Sequence, residues 1–328
     1  MIGVIGAGLV GANVIRALVA CGQPQMMVSD TNAAAARRLA IGTSTKGSQV
    51  HAASTGDMFS ADVVVLACPG PHMKASRRLV DAGVSVVSCS DDLEDTLAML
   101  DLDAVARQVG RTLLVGATMS PGLSGLLVRS AARDFDAIDE AHVAIHGTAG
   151  PACAQQHHRA LAGQSLGWHD GDWLRRPAGS GRELCWFPDP IGPRDCYRAE
   201  LTDPAVIHHA IPELRRVTVR MSANRRDRLT ARLPMLTPPH PEGGLGALRV
   251  EVRGWRDGAR HIEVVGVVDR VAHVAGLVAA MSARRVTAGE FACGVRTLGD
   301  DESPNESLIS DLRDTGIQLH EFVGSAQG

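Results

Sequence analysis

The stretch MIGVIGAGLVGANVIRAL, residues 1–18, decides the fold class of this 328-residue chain. An apolar run at residues 2–5 is followed by Gly6, Gly8 and Gly11 in G-x-G-x-x-G spacing, and then by a helical pattern of apolar residues. A strand, a glycine turn and a helix in this order are typical of the first unit of a dinucleotide-binding parallel sheet. The alternative interpretation is a glycine-rich turn in another kind of parallel-sheet protein.

Each glycine has a predicted physical role. Gly6 makes the tight turn out of the strand, Gly8 lets the backbone approach a pyrophosphate, and Gly11 lets the helix lie close to the strand. The N–H groups at the start of the helix then face the phosphates with the positive end of the helix dipole. The residues between the glycines complete the predicted cofactor loop: Ala7, Leu9 and Val10.

An acidic residue follows the second apolar run of the sequence. Residues 26–28 lead through Ser29 into Asp30 and Thr31. A carboxylate at this point can accept hydrogen bonds from the ribose hydroxyls of adenosine, which favours NAD over NADP. Arg37 and Arg38 could instead meet a 2′-phosphate. Asp30 would repel that phosphate, so NAD is the predicted cofactor and NADP the alternative.

Composition narrows the class of protein. The formal net charge is −3, and no basic run with interleaved aromatic residues indicates a nucleic-acid surface. No apolar run of about twenty residues predicts a membrane span. The strand pattern begins at residue 2, which leaves no room for a signal peptide. The seven cysteines are scattered and lack a C-x-x-C pair, as expected of reduced thiols in a cytoplasmic protein.

Alternating strand and helix patterns continue through the first part of the chain. Six strand signals, among them a continuous apolar run at 61–67 and a further strand at 84–88, predict a doubly wound (Rossmann) parallel sheet. Helices are predicted at 32–40, 73–82, 93–108 and 123–133. Right-handed crossovers bring the loops after the strands to the carboxyl edge of the sheet, where dinucleotides bind. The loops expected to meet there are 6–11, 68–72, 89–92 and 116–122.

The pattern changes after about residue 136. Alternation at 138–145 predicts a half-buried strand, and further strand signals occur at 183–187, 215–221, 248–252 and 261–268. A helix is predicted at 268–284, and a weak amphipathic pattern follows at Leu308, Leu312 and Ile317. We therefore predict two domains, a dinucleotide-binding domain at 1–135 and an α+β domain with a mixed or antiparallel sheet at 136–328. The last helices are expected to return to the first domain.

The order of four segments resembles the saccharopine dehydrogenase-like oxidoreductases. GAGLVG is followed by CPGPH, then by SCSDD, and then by GATMSPGLSGLL, a match over about the first 130 residues. The second half of the chain matches this family only loosely. The resemblance implies NAD(P)-dependent hydride transfer at a C–N bond, in an imine or secondary amine derived from an amino acid, and a homodimer. It places the nicotinamide near two loops: Cys68, Pro69 and Gly70 in one, and Pro121 and Gly122 in the other.

Four residues are candidates for catalysis. His72 has a pKa suited to an acid/base, although it could equally flank the next helix. Lys74 is a candidate proton donor. Asp91 is a candidate contact for a substrate amine, whereas its neighbour Asp92 is expected to cap a helix. His146, at the end of a predicted strand, could face the crevice.

Histidine, arginine and aromatic residues of the second half leave further alternatives open. No acidic or thiolate partner for His146, His157 or His158 is evident at a ligand spacing, so no metal site is predicted and a catalytic or substrate contact is favoured. Three arginines could bind a carboxylate or be solvated at the surface: Arg182, Arg194 and Arg198. Three aromatic residues could form core or pocket wall: Trp186, Phe187 and Tyr197.

The sequence thus predicts an oxidoreductase acting on a small, amino-acid-like substrate with a carboxylate. Two rival functions stay open. One is a dehydrogenase or reductase acting on a hydroxy or aldehyde group with the same layout. The other is a non-catalytic NAD(P)-binding sensor protein. A homodimer through the sheet of the second domain is expected because open sheet edges need cover.

Overall fold

The computed structural model describes residues 1–236 and 238–322. Thr237 and residues 323–328, which belong to the predicted second domain, lie outside this description. The strands of the described residues are β1 (Ile2–Ile5), β2 (Gln25–Ser29), β3 (Gln49–Ala52), β4 (Val63–Leu66), β5 (Ser85–Ser88), β6 (Thr112–Val115), β7 (Ala137–His146), β8 (Gln164–His169), β9 (Asp172–Pro177), β10 (Glu183–Trp186), β11 (Pro193–Tyr197), β12 (Arg216–Ser222), β13 (Leu245–Arg256), β14 (Ala259–Arg270), β15 (Gly294–Thr297) and β16 (Leu319–Glu321). The helices are α1 (Leu9–Ala20), α2 (Ala33–Thr43), α3 (Met73–Asp81), α4 (Leu93–Leu100), α5 (Asp103–Gln108), α6 (Leu123–Ala131), α7 (Pro151–Ala160), α8 (Asp203–Ala210), α9 (Arg225–Thr230), α10 (Val271–Thr287) and α11 (Asn305–Asp314).

The first sheet is parallel throughout, in the order β15-β6-β5-β4-β1-β2-β3. All four residues of β4 are buried because helices cover both faces of the sheet. The strand order reverses at β1, which lies between β4 and β2. A crevice forms where the order of strands reverses. The loops after β1 and β4 therefore flank the predicted binding edge, and the doubly wound fold is confirmed.

A seventh strand completes this sheet from the far end of the chain. β15 pairs in parallel with β6, whereas the sequence patterns predicted six strands. The helix before it, α10, crosses α1 so closely that a Cβ at Gly276 would lie 2.4 Å from the Cβ of Asn13. The chain therefore returns to the first domain after building most of the second. The first sheet therefore contains β15 from beyond the predicted boundary at residue 135, in addition to the strands before it.

The long helix predicted at 93–108 is wrong, since the chain forms α4 and α5 with a break between them. The break turns α5 onto the edge strand β15, where Asp103 Oδ1 accepts the backbone N–H of Val295 at 2.9 Å. This partner lies almost two hundred residues away in sequence. The local amphipathic pattern could not show it.

The second sheet is mixed, as predicted. Its main path is β10-β11-β12-β7-β13-β14-β16, with β8 and β9 attached beside β12. β7 and β12 are parallel and the other pairs are antiparallel. β14 continues to Arg270, so the helix predicted at 268–284 begins three residues later, at Val271. No helix of the described residues is long and apolar enough to cross a membrane.

Candidate active site between the two domains

The glycine loop has the geometry that its sequence predicts. Gly6 has a φ of +114°, and a Cβ at Gly11 would lie 1.8 Å from the carbonyl oxygen of Gly6. Neither position can accept a side chain in this backbone. A Cβ at Gly8, in contrast, would meet nothing within 4 Å. Since α1 begins at the next residue, the open side of Gly8 and the free N–H groups of the helix form a cradle that fits a pyrophosphate.

Asp30 ties the end of β2 to this loop. Its Oδ2 accepts the backbone N–H of Ala7 at 2.7 Å, and its Oδ1 accepts the N–H of Asn32 at 2.7 Å. Oδ2 keeps a further lone pair for a ribose hydroxyl, whereas the Thr31 hydroxyl also donates to Oδ1 at 3.4 Å. Thr31, beside it, is exposed, and so are Arg37 and Arg38 on α2.

A buried carboxylate that the sequence analysis missed organises the next loop. Asp95 Oδ2 accepts the backbone N–H of His72 at 2.7 Å and the hydroxyl of Ser90 at 2.7 Å, while its Oδ1 accepts the N–H of Met73 at 2.8 Å. Asp95 thus caps the start of α3 and joins the loops after β4 and β5. A signal was available, because Asp92 caps α4 through the N–H of Asp95, and this places Asp95 in the first turn of a helix.

His72 belongs to this scaffold and does not reach the cleft. Its Nδ1 lies 2.9 Å from the hydroxyl of Ser88 and its Nε2 lies 2.8 Å from the carbonyl oxygen of Cys68. Burial lowers the pKa of His72 below its ordinary value. The candidate role of His72 as acid/base is therefore corrected, since both ring nitrogens are engaged within the loop and it is 1% exposed.

A cleft of about 910 Å³ lies between the domains. The first domain contributes residues of all four predicted loops, and the second contributes the segment from the end of β7 into α7. The lining residues that concern the site are Gly8, Leu9, Val10, Cys68, Pro69, Gly70, Lys74, Asp91, Ser120, His146, Cys153, His157 and Arg159. The sequence-based expectation that these loops converge on one crevice agrees with this geometry.

Pro121 and Gly122 do not line the cleft. They shape the loop that does, because the backbone N–H of Thr118 donates to the carbonyl oxygen of Pro121 at 2.9 Å. Asp203, from the second domain, accepts the hydroxyls of Ser120 at 2.7 Å and of Ser124 at 2.5 Å. This buried carboxylate, also missed from sequence, fixes the loop against α8. Burial raises the pKa of Asp203.

Three reactive side chains meet across the cleft. Asp91 Oδ2 lies 4.0 Å from His157 Nε2, and Cys153 Sγ lies 3.7 Å from the same nitrogen. Burial raises the pKa of Asp91, against the opposing effect of His157. Burial alone would lower the pKa of His157, but Cys153 and Asp91 raise it to about 9. The imidazole of His157 therefore faces both a thiol and a carboxyl group.

The sequence analysis expected no metal site because no acidic or thiolate partner of the histidines was evident at a ligand spacing. His157 has such partners in Cys153 and Asp91. Cys153 lies one helical turn before His157, in the order Cys-x-x-x-His that places two side chains on one face of a helix. This signal was present in the sequence and was missed. Asp91 joins them only because the two domains fold against each other.

Lys74 and His146 lie on opposite sides of the cleft. Lys74 is exposed on α3. His146 ends β7, and its Nδ1 lies 2.7 Å from the hydroxyl of Ser222. Burial lowers the pKa of His146. Both side chains line the cleft, and their roles in catalysis stay predictions.

The other candidates of the second half lie outside the cleft. Arg182 pairs with Asp195 at 3.0 Å, and neither Arg194 nor Arg198 lines the cavity. Phe187 and Tyr197 are buried in the second domain, whereas Trp186 is 59% exposed. Among the described lining residues, the arginine is Arg159, which the sequence analysis did not single out.

Comparisons with known proteins agree with this architecture. Residues 1–92 match the family model described as NADP oxidoreductase, coenzyme F420-dependent. The apo saccharopine dehydrogenase (L-Glu forming) of Saccharomyces cerevisiae superposes with a TM-score of 0.73 at 16% identity, over 98% of this chain and 99% of that one. The DAP dehydrogenase of C. glutamicum superposes with a TM-score of 0.51 at 13% identity, over 96% and 98%. A search of curated proteins gives no match to the sequence.

The chain has the two-domain fold of an NAD(P)-binding dehydrogenase. Within that class it has the fold of saccharopine dehydrogenase over its full length. The likeness predicted from four short segments of the first domain is confirmed for the fold, and it extends to the second domain, where the sequence had given only a loose match.

Proposed function

We propose that this protein is a cytoplasmic NAD(P)-dependent oxidoreductase that transfers a hydride at the C–N bond of an imine or secondary amine derived from an amino acid. The observation that carries the proposal is the single cleft lined by the glycine loop and Asp91 of the first domain and by His157 and Arg159 of the second. Dinucleotides bind at this edge of a parallel sheet, and substrates reach them there.

The cofactor end of the cleft fits a dinucleotide. Gly8 and the start of α1 are open to a pyrophosphate, and Asp30 is positioned for the adenosine ribose. NAD is favoured because Asp30 would repel the 2′-phosphate of NADP, and NADP is the alternative. The bound dinucleotide supplies or accepts the hydride.

The chain's own groups then hold the substrate and its proton. Asp91 binds the nitrogen of the amine or iminium, since a carboxylate stabilises a neighbouring positive charge. Lys74 gives a proton to the nitrogen during reduction and takes it back during oxidation. Arg159 donates hydrogen bonds from its guanidinium group to a substrate carboxylate. The second domain covers the site and excludes water from the reacting carbon.

The cofactor assignment is tested with Asp30→Asn. Asparagine keeps an acceptor for the Ala7 N–H but loses the charge that binds the ribose hydroxyls. We expect NADH affinity to fall by about tenfold or more, with a smaller change for NADPH, because charged hydrogen bonds contribute about 1.5–3 kcal/mol. Fluorescence titration measures both cofactors, and Asp172→Asn, on exposed β9, is the matched control. Failure of the wild type to bind either cofactor would reject the proposal.

The proton donor is tested with the two lysines of the chain. Lys74→Met should lower kcat by about 100-fold, as expected for loss of a general acid, and leave cofactor affinity unchanged. Lys46→Met is the matched control, because Lys46 is exposed and does not line the cleft. Assays with keto acids plus amines, with keto acids alone and with hydroxy acids separate this function from its rivals. Turnover without an amine would favour the hydroxy or aldehyde dehydrogenase, and no turnover despite cofactor binding would favour a sensor.

A further inference from the structure

The cluster of Asp91, Cys153 and His157 combines three kinds of metal ligand. Their ligand atoms all lie within 4.8 Å of one another. Carboxylate oxygen, thiolate sulfur and imidazole nitrogen together are a donor set that zinc accepts. Two of the groups come from α7 and the third from the loop after β5, across the cleft.

The spacing of these atoms suits one ion. With Cys153 Sγ at 3.7 Å and Asp91 Oδ2 at 4.0 Å from His157 Nε2, a point exists roughly 2.5 Å from each donor. Zinc bonds measure about 2.3 Å to sulfur and about 2.0–2.2 Å to nitrogen or oxygen. A movement of a few tenths of an ångström by each side chain therefore brings all three into bonding distance.

His157 differs from the histidine beside it. His158 Nε2 lies 3.0 Å from the carbonyl oxygen of Thr230 and 3.2 Å from that of Leu233, which satisfies it within the second domain. His157 Nε2, in contrast, lies 3.7 Å from Cys153 Sγ and 4.0 Å from Asp91 Oδ2, the two groups that could share an ion with it. Among the described residues its Nδ1 is buried without a hydrogen-bond partner. A neutral imidazole that binds an ion through Nε2 carries its ring proton on Nδ1.

We propose that Asp91, Cys153 and His157 form a binding site for zinc or a similar divalent transition metal, with its fourth position open to the cleft. Three protein ligands and one open position are typical of catalytic zinc. The ion joins the two domains, because its ligands come from both. This role rests on the proposed function: with an ion bound, Asp91 would act on the substrate nitrogen through the ion and not by direct contact, and the ion would supply Lewis-acid chemistry at the reacting group.

Cobalt substitution tests the site directly. The wild-type chain, freed of metal with a chelator under reducing conditions, is titrated with Co²⁺ and followed by absorption spectroscopy. One equivalent should bind, with a thiolate-to-cobalt charge-transfer band and intense visible bands of tetrahedral cobalt. Zn²⁺ should then displace the cobalt, and elemental analysis should find one zinc per chain.

Variants of each ligand sharpen the test. Cys153→Ala should abolish the charge-transfer band, while His157→Gln and Asp91→Asn should each weaken metal binding by about tenfold or more, as loss of a ligand predicts. Cys293→Ala and His51→Gln change an exposed thiol and an exposed imidazole elsewhere and should bind cobalt as the wild type does. Circular dichroism of each variant checks that the chain is folded.

The outcomes separate this site from the proposed function. Absence of the charge-transfer band in the wild type, or an equal band in Cys153→Ala, overturns the metal site. Titration of the same samples with NADH and NADPH tests the oxidoreductase proposal independently. Cobalt binding without binding of either dinucleotide would keep the metal site and reject the function. Binding of a dinucleotide without cobalt binding would reject the metal site and leave the function standing.

Discussion

The two walls of the cleft are built in different ways. The wall from the first domain is shaped by backbone, with glycines that no side chain can replace and with buried polar groups that are fully bonded, such as Asp95. The wall from the second domain consists of side chains on α7, and Cys153, His157 and Arg159 have few partners. The first wall, where the proposed dinucleotide would bind, is therefore held in one shape by its backbone. The opposite wall supplies reactive side chains.

The largest expected effect comes from adding a methyl group to the glycine loop, which tests whether the first wall is rigid. Gly11→Ala places a Cβ 1.8 Å from the carbonyl oxygen of Gly6, and we expect it to lower the free energy of unfolding by about 3 kcal/mol or more. Gly8→Ala is the matched control, because its Cβ meets nothing within 4 Å. It should keep the stability within about 0.5 kcal/mol and weaken NADH binding by about tenfold.

Urea unfolding and NADH titration of both variants measure these effects. A Gly11→Ala protein as stable as Gly8→Ala would show that the first wall yields as easily as an ordinary surface loop. The contrast between the two walls would then be lost.

A second test compares one polar residue from each wall. Asp95→Asn puts an amide NH₂ opposite a backbone N–H or the Ser90 hydroxyl, and should cost about 2 kcal/mol of stability. Arg159→Met, on the other wall, is exposed and should change stability by less than about 0.5 kcal/mol. Arg159→Met should instead raise the KM for a carboxylate-bearing substrate. Equal losses of stability in urea unfolding would contradict the comparison.

The smallest expected effect concerns pH. Burial lowers the pKa of His72 from its ordinary 6.5. As the pH falls below 6.5, the unfolded chain therefore binds a proton at this residue more readily than the folded chain does. The stability that this group contributes is present above pH 6.5 and is lost as the pH falls through the folded-state pKa. His72→Gln should flatten this part of the stability curve relative to the exposed control His51→Gln. Parallel curves for all three proteins below pH 6.5 would show that His72 is not the group responsible.

The sequence by itself determined six of the seven strands of the first sheet, the glycine loop and the position of Asp30. These features depend on periods of two and 3.6 residues and on backbone conformations that only glycine adopts, so neighbours in sequence define them. The pair Cys153-x-x-x-His157 is also visible in the sequence, although no metal site was predicted from it. The resemblance to saccharopine dehydrogenases rested on loops of the same kind.

Only the tertiary structure decided the rest. It broke the helix predicted at 93–108, because Asp103 bonds to Val295 on a strand from the other end of the chain. It keeps His72 out of the cleft, because both ring nitrogens have partners, the Ser88 hydroxyl and the Cys68 carbonyl oxygen. It also brought Asp91 within 4.0 Å of His157. Such contacts join residues far apart in sequence, and their energies depend on burial and packing that no local pattern records.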